Sequence, residues 1–290
     1  MKANNMFAKI IQQDCLIALE PAAFAKASGD REAALTFFDP PFNQGKDYAH
    51  FNDSLPQEHY WHWIEQVCRA VINVTAAGGA IYFMQREKNT EQVLRVLRET
   101  GWTLQNLIIW SKRTSAVPST LRYGKQYQII AFATVGKRPR VFNKLRINPP
   151  KLPQHKLERP TGLYVTDCWN DIRELTAGYF AGDEALRDDA GRRLHEQQSP
   201  IALLARIILS SSRPGDLVLE PCAGSGPALV VAKQLARPSL GIELDSNHCD
   251  LIRARLARPR KADSIEPLQE YYRHTQNLDA IWPISANHSA

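Results

Sequence analysis

No apolar run approaches the roughly 18 residues that a membrane-spanning helix needs. The longest, at 201–210 and around 128–135, stop well short of it. The opening residues MKANNMFAKIIQQD hold no apolar core followed by a small-residue cleavage site, so a secretory leader is not expected and a cytoplasmic location is. Cysteine is sparse: Cys15, Cys68, Cys168, Cys222 and Cys249 are odd in number, far apart, and show neither Cys-x-x-Cys nor Cys/His ligand spacing. Neither a disulfide framework nor a structural metal is expected from them. There is no internal repeat. What is present, 290 residues with 44% hydrophobic and 23% charged, is the composition of a globular chain that forms one large domain or one domain with an insert.

Acid is also scarce in one place. Between Trp110 and Pro160 stand twelve Lys or Arg residues, among them Lys112, Arg113, Arg122, Lys125, Lys137 and Arg138, and a single acid, Glu158. That segment carries +11 in a chain of net charge +6, so the remainder is −5. A charge run is often no more than a solvated loop.

Short apolar runs alternate with helical periodicity, the pattern of a mostly parallel, doubly wound α/β sheet covered by helices. Leu35–Phe38 reads as a buried strand ended by Asp39-Pro40-Pro41, because prolines cannot donate to a ladder. Glu58–Val74 reads as a helix with Trp61, Ile64, Val67, Cys68 and Val71 on one face. The turn Ala77-Gly78-Gly79 leads into a strand at Ala80–Met84, followed by a helix at Thr90–Thr100 that stops at Gly101. Strands are expected at Leu104–Trp110 and Tyr127–Thr134, separated by a basic loop. Periodicity is lost over 143–194, which reads as an insert rather than more sheet. It returns as a helix at Ser199–Ser210, a strand at Asp216–Glu220, a helix at Pro227–Ala236, a strand at Ser239–Glu243 and a helix at Asn247–Ala257. The expected division is therefore 1–142 and 195–262 as two parts of one domain, 143–194 as an insert, and 263–290 as a tail without clear pattern.

The segment Leu219-Glu220-Pro221-Cys222-Ala223-Gly224-Ser225-Gly226 leaves a strand and opens a helix, and Glu243 ends the next strand. Glycines allow a ligand close to the backbone, a helix start offers N–H groups, and a carboxylate can accept both ribose hydroxyls. The arrangement suits a nucleoside cofactor. Phe37-Phe38-Asp39-Pro40-Pro41-Phe42 ends another strand. Paired prolines make a stiff turn in which the Asp39 carboxylate and a backbone carbonyl can face one NH2 group, and Phe42 offers a flat surface for a base. A plain strand-ending turn with Phe42 in the core is the bland alternative.

Asp39–Phe42 resembles the catalytic tetrad of the beta-ordered DNA amino-methyltransferases, the adenine-N6 and cytosine-N4 site-specific DNA methylases, and Pro221–Gly226 resembles their cofactor loop. Gln13-Asp14-Cys15-Leu16, the extended segment from Asp39 to Tyr48, His195–Pro200 and Gly241–Asp245 resemble further segments of that family. Three positions depart from it: Cys222 stands where Phe is usual, Pro227 where Thr is usual and Ser199 where Lys is usual. The resemblance implies a Rossmann-like methyltransferase sheet, with 143–194 as the target-recognition insert. It also implies transfer of the methyl of S-adenosyl-L-methionine to an exocyclic amino nitrogen of double-stranded DNA.

Asp39, Pro40, Pro41 and Phe42 would be catalytic under this resemblance, and the target base would be flipped out of the stack. Asp14, Cys15, Gln198, Ser199, Glu220, Cys222, Ala223, Gly224, Ser225, Gly226 and Glu243 would bind the cofactor. Lys112, Arg113, Arg122, Lys125, Lys137 and Arg138 would meet phosphates. His195 reads as a structural hydrogen-bonding residue. Asp at the first tetrad position favours adenine. Cytosine-N4 methylation, methylation of RNA or a protein amide, and a silent nucleic-acid-binding module that has lost the cofactor remain open at this level. No endonuclease signature is evident, and no metal is expected.

Overall fold

The structure is a computed structural model, and it describes residues 7–112, 120–148, 160–175, 179–195 and 197–283. In chain order the elements begin with β1 (Ala8–Gln12), α1 (Cys15–Ala18), α2 (Pro21–Ser28) and β2 (Ala33–Phe38). A small ribbon of β3 (Asp47–Tyr48) and β4 (Phe51–Asn52) precedes α3 (Gln57–Asn73), β5 (Thr75–Arg86), α4 (Thr90–Glu99), β6 (Trp102–Ser111) and β7 (Tyr127–Val135). Then come the short strands β8 (Arg146–Ile147), β9 (Leu163–Tyr164) and β10 (Cys168–Trp169). The last part holds α5 (Ile201–Ser211), β11 (Leu217–Glu220), α6 (Pro227–Gln234), β12 (Ser239–Glu243), α7 (Ser246–Ala257), α8 (Glu266–Tyr271) and α9 (Leu278–Ile281).

Eight strands form one sheet in the order β1-β12-β11-β2-β5-β7-β6-β10. Every neighbouring pair is parallel except those made by β7, which runs antiparallel to both β5 and β6. Both faces are covered. Along β5, Ala80, Tyr82 and Met84 enter one core with α5 and α6, while Ile81 and Phe83 enter the other with α3 and α4. Two-sided burial explains why β2 and β11 read as continuous apolar runs rather than as alternation. Helix α3 forms because Tyr60, Trp61, Ile64, Val67, Cys68 and Val71 recur at helical spacing and are all buried.

The crevice is set by connectivity. β2 and β11 lie side by side, yet from β2 the chain proceeds through α3 to β5 on one side, and from β11 through α6 to β12 on the other. Loops leaving two adjacent parallel strands in opposite directions open a cleft at the carboxyl ends of those strands. The Asp39 turn and the glycine turn are those two loops.

Several expectations change. The Ala77-Gly78-Gly79 turn lies inside β5, with Gly78 at φ +70° and a register irregularity opposite Ala33–Leu35. A Cβ at Gly79 would stand 2.5 Å from the Thr75 side chain, so the irregularity needs glycine there. The insert is not wholly outside the sheet: β10 adds a strand parallel to β6, with Cys168 opposite Ile109 and Trp169 opposite Trp110. The described part of the segment expected to lack a pattern, 263–283, packs on the domain. Ile265, Tyr272, Ile281 and Trp282 belong to the larger core. The edge strand β1 was not expected from the sequence; its part-exposed pattern gives no clear period. No described helix is long and apolar enough to cross a membrane.

Candidate functional site

A cavity of about 520 Å³ occupies the crevice, and the two sequence-remote loops wall it together. Asp39, Pro40, Pro41 and Phe42 line it from the β2 side; Glu220, Cys222, Ala223, Gly224 and Ser225 from the β11 side; Glu243 from the end of β12. Asp14 and Cys15 close it at the end of β1, and Tyr48, His50, Phe51 and Trp63 form the outer wall.

The tetrad is held from behind. Tyr60 Oη on α3 donates to the Pro41 carbonyl at 2.7 Å, and Gln85 Nε2 near the end of β5 donates to Tyr60 Oη at 2.9 Å. Asp39 lies deep in the crevice. Burial pushes its carboxyl up to about 7, a rise restrained by a hydrogen bond from Ser199 and by the charge of Lys112. Ser199 Oγ donates to Asp39 Oδ2 at 3.0 Å. Phe42 is 5% exposed: its ring belongs to the core and also lines the cavity.

The glycine turn is tied to the acid. Gly224 N donates to Glu243 Oε2 at 2.7 Å, and Leu244 N and Asp245 N donate to Glu243 Oε1, each at 3.0 Å. Burial alone would push Glu243 up, but His248 and the Asp245 and Gly224 N–H groups outweigh it and hold the carboxyl below the usual range. His248 is raised in return, chiefly by Glu243. Gly224 stands at φ +52°, and a Cβ there would come within 2.6 Å of the His195 ring. Burial pushes Glu220 well up, aided by the Asp39 charge, and its Oε2 has no hydrogen-bond partner among the described residues. Contact with the Cys15 thiol and burial push the Cys222 thiol up. Among the described residues no group of three or more His, Cys, Asp or Glu side chains is placed to hold a metal ion.

Two expected cofactor residues are placed elsewhere. Gln198 does not line the cavity; its Oε1 accepts from Leu186 N at 2.9 Å and its Nε2 donates to the Glu184 carbonyl at 3.0 Å, which anchors the 184–186 segment. Gly226 serves packing: a Cβ would meet Ile252 at 2.8 Å. Asp14 lines the cavity, but its side chain caps α1 by accepting from Leu16 N at 2.8 Å. His195 lines the cavity against Gly224.

The basic segment is divided between the two ends of the sheet. β6 ends at the carboxyl rim, so Lys112, Arg122 and Lys125 lie on the site's side. Lys112 is half-buried, and its ammonium is lowered by burial despite the charges of Glu174 and Asp39. Lys125 Nζ pairs with Glu87 Oε1 at 2.8 Å. Lys137 and Arg138 follow β7, whose reversed direction delivers them to the amino rim beside Gly78, away from the crevice. Arg113 lies outside the described residues.

Some contributors gave little signal in the sequence. Asp53 is buried and accepts from the backbone of Asn43, Gln44 and Lys46 at 2.7–2.9 Å, folding the loop that carries the outer wall. Arg86 and Lys88 add to this basic group: burial lowers the Lys88 ammonium, aided by the charges of Arg86, Lys125 and Arg122. Their position just after an apolar strand was the only available clue.

Comparison with known proteins agrees with this geometry. The DNA methylase family model matches residues 33–254. The chain belongs to the DNA methylase family. It is 27% identical over 267 residues to the DNA adenine methyltransferase YhdJ of Escherichia coli K12, covering 84% of this chain and 83% of that protein. It is also 27% identical over 223 residues to the Type II methyltransferase M.HpaI of Haemophilus parainfluenzae, covering 77% of this chain and 67% of that one. Among solved structures it shares the fold of the M1.HpyAVI–SAM complex, at TM-score 0.57 and 19% identity over 86% of this chain and 98% of that one. The cytosine-N4-specific PvuII DNA methyltransferase superposes at TM-score 0.60 with 17% identity over 91% of each chain.

Proposed function

We propose that this chain transfers the methyl of S-adenosyl-L-methionine to the exocyclic amino group of adenine in double-stranded DNA. The observation that carries the reading is the meeting of Asp39 with the Gly224–Glu243 unit in one cavity. The residues fit the cofactor: the Glu243 carboxylate is fixed and accessible from the cavity, the Gly224 position admits no side chain, and Glu220 Oε2 is a buried oxygen without a partner among the described residues. Glu243 would hold the ribose, Asp14 and Cys15 would border the adenine ring, and 222–225 would follow the methionine part. When bound, the cofactor supplies a methyl carbon on a sulfonium.

The chain's own groups then act on the acceptor. An aromatic amine is a weak nucleophile because its lone pair is delocalised into the ring. If the Asp39 carboxylate and the Pro40 carbonyl each accept one N–H, the nitrogen becomes more tetrahedral and its lone pair turns out of the ring plane. Positioning and electrostatic preorganisation do the work, with no covalent enzyme intermediate. The Tyr60–Pro41 hydrogen bond keeps the tetrad backbone from moving while they act. Base flipping brings the amine to the crevice, with Phe42 as the stacking wall.

Adenine is favoured by Asp at the first tetrad position and by the likeness to an adenine methyltransferase over most of both chains. The cytosine-N4 alternative has the likeness in fold to the cytosine-N4-specific PvuII DNA methyltransferase on its side. Nucleoside analysis of duplex DNA after incubation with the enzyme and S-adenosyl-L-methionine is the test. N6-methyladenine is the expected product, N4-methylcytosine alone would overturn the base assignment, and no methylation would favour the silent binding module.

A further inference from the structure

We infer that Ser199 is a positioning residue for Asp39, and that it is not a ligand of the cofactor. The inference rests on the reading of Asp39 as the group that accepts from the substrate amine. Ser199 is 4% exposed, and its hydroxyl reaches Asp39 Oδ2 at 3.0 Å. Among the described residues no hydrogen bond engages Asp39 Oδ1, which leaves that oxygen to accept from the amine.

Both partners are held by stiff backbone. Asp39 follows the buried strand β2 and precedes two prolines. Ser199 precedes Pro200, which restricts it to extended geometry. On one side Gln198 is clasped to the 184–186 segment, and on the other Ile201 N donates to Glu184 Oε1 at 2.6 Å. The serine hydroxyl is therefore a fixed donor aimed at a fixed carboxyl. A lysine side chain here, usual in the enzymes the sequence resembles, would bring a charge and a longer reach instead of a short neutral donor.

The effect on Asp39 has a defined sign. A donor to the carboxylate favours its ionised form, against burial. The other groups facing Asp39 are Lys112 from the end of β6, which also favours ionisation, and Glu220 from β11, Cys222 from the glycine turn and Tyr60 from α3. None of these replaces the hydroxyl. Removing it leaves the carboxyl to be ionised only at higher pH and frees it to rotate.

The experiment compares Ser199→Ala, Ser199→Cys and Ser199→Thr with the wild-type chain. It measures single-turnover methyl transfer against pH at saturating DNA and S-adenosyl-L-methionine, and cofactor affinity by calorimetry, with melting curves confirming folding. The expected result for Ala and Cys is a loss of roughly tenfold in rate at pH 7, an acid limb displaced to higher pH, and a cofactor Kd within about twofold of wild type. Thr restores the limb. An unmoved limb in both the Ala variant, which has no donor, and the Cys variant, which has only a weak one, or a weakened cofactor with an intact saturated rate, would overturn the inference. Asp39→Ala, run alongside, separates the two failures: if it still transfers methyl groups, the reading of Asp39 itself is wrong.

Discussion

The backbone N–H of Gly224 donates to Glu243 Oε2 at 2.7 Å, so the turn leaving β11 and the acid ending β12 form one unit. Two further N–H groups fix the other oxygen, and the carboxylate is oriented before any ligand arrives. Glu243→Ala removes the anchor of the turn and, on the proposed function, the ribose acceptor. Its cofactor Kd, measured by calorimetry, is expected to rise at least tenfold, on the order of 1.4 kcal/mol. Gly224→Ala should weaken binding similarly, because a Cβ meets the His195 ring and the residue sits at positive φ.

As the proposed acceptor of the substrate amine, Asp39 is expected to govern the pH dependence. The folded state raises this carboxyl from 3.8 to about 7, so kcat/KM is expected to fall as pH drops below about 7, where the acceptor becomes protonated. The sign for stability is the opposite of that for a salt-bridged acid. The folded chain holds a proton that the unfolded chain releases, so Asp39 costs stability progressively as pH rises between the two values. Asp39→Asn should therefore melt higher than wild type at pH 8 and match it near pH 4, each kcal/mol being worth roughly 2–4 °C in a chain of this size. Its methyl transfer should fall by at least about a hundredfold. An unchanged melting difference across pH would contradict this account.

Tyr60 is expected to act through the backbone. Tyr60→Phe deletes the donor to the Pro41 carbonyl and leaves Gln85 Nε2 without its oxygen partner, both in buried surroundings. A loss of about 1–3 kcal/mol in stability is expected from the unsatisfied groups. Single-turnover rate should drop with little change in cofactor affinity, since the ring does not line the cavity.

The two rims give a paired test of DNA binding. Arg122→Glu with Lys125→Glu should weaken duplex binding and flatten its salt dependence, by about 0.9 in slope for each phosphate that is no longer neutralised. Lys137→Glu with Arg138→Glu, on the amino rim, should leave both nearly as they were. Fluorescence anisotropy across a salt series checks the pair, and equal weakening by the two double variants would show that DNA reaches the far rim.

Much of the fold was legible wherever burial on both faces imposed an unbroken apolar run, as at Leu35–Phe38 and Leu217–Leu219. Helix α3 was legible from spacing alone. Short or edge pieces were not: β10 has only two residues, and β1 is part-exposed, so neither leaves a period in the sequence. The tetrad, the glycine turn and Glu243 were legible as residue types that carry chemistry at strand ends. Their supports were not: no spacing in the sequence singles out Tyr60 or Gln85, because a hydrogen bond from a helix to a distant turn depends on how the two segments pack.

The sequence by itself determined the strand ends, the stiff Asp-Pro-Pro turn and the cofactor-like loop, since each depends on local backbone rules. Only the tertiary structure decided what meets what. Ser199 lines the cavity and reaches Asp39, and Gln198 turns away from it, because a side chain's partner depends on which segment packs across from it. The fate of Lys137 and Arg138 shows the same limit. A run of charge has no direction of its own, and the single reversed strand β7 carries those two residues to the end of the sheet opposite the crevice.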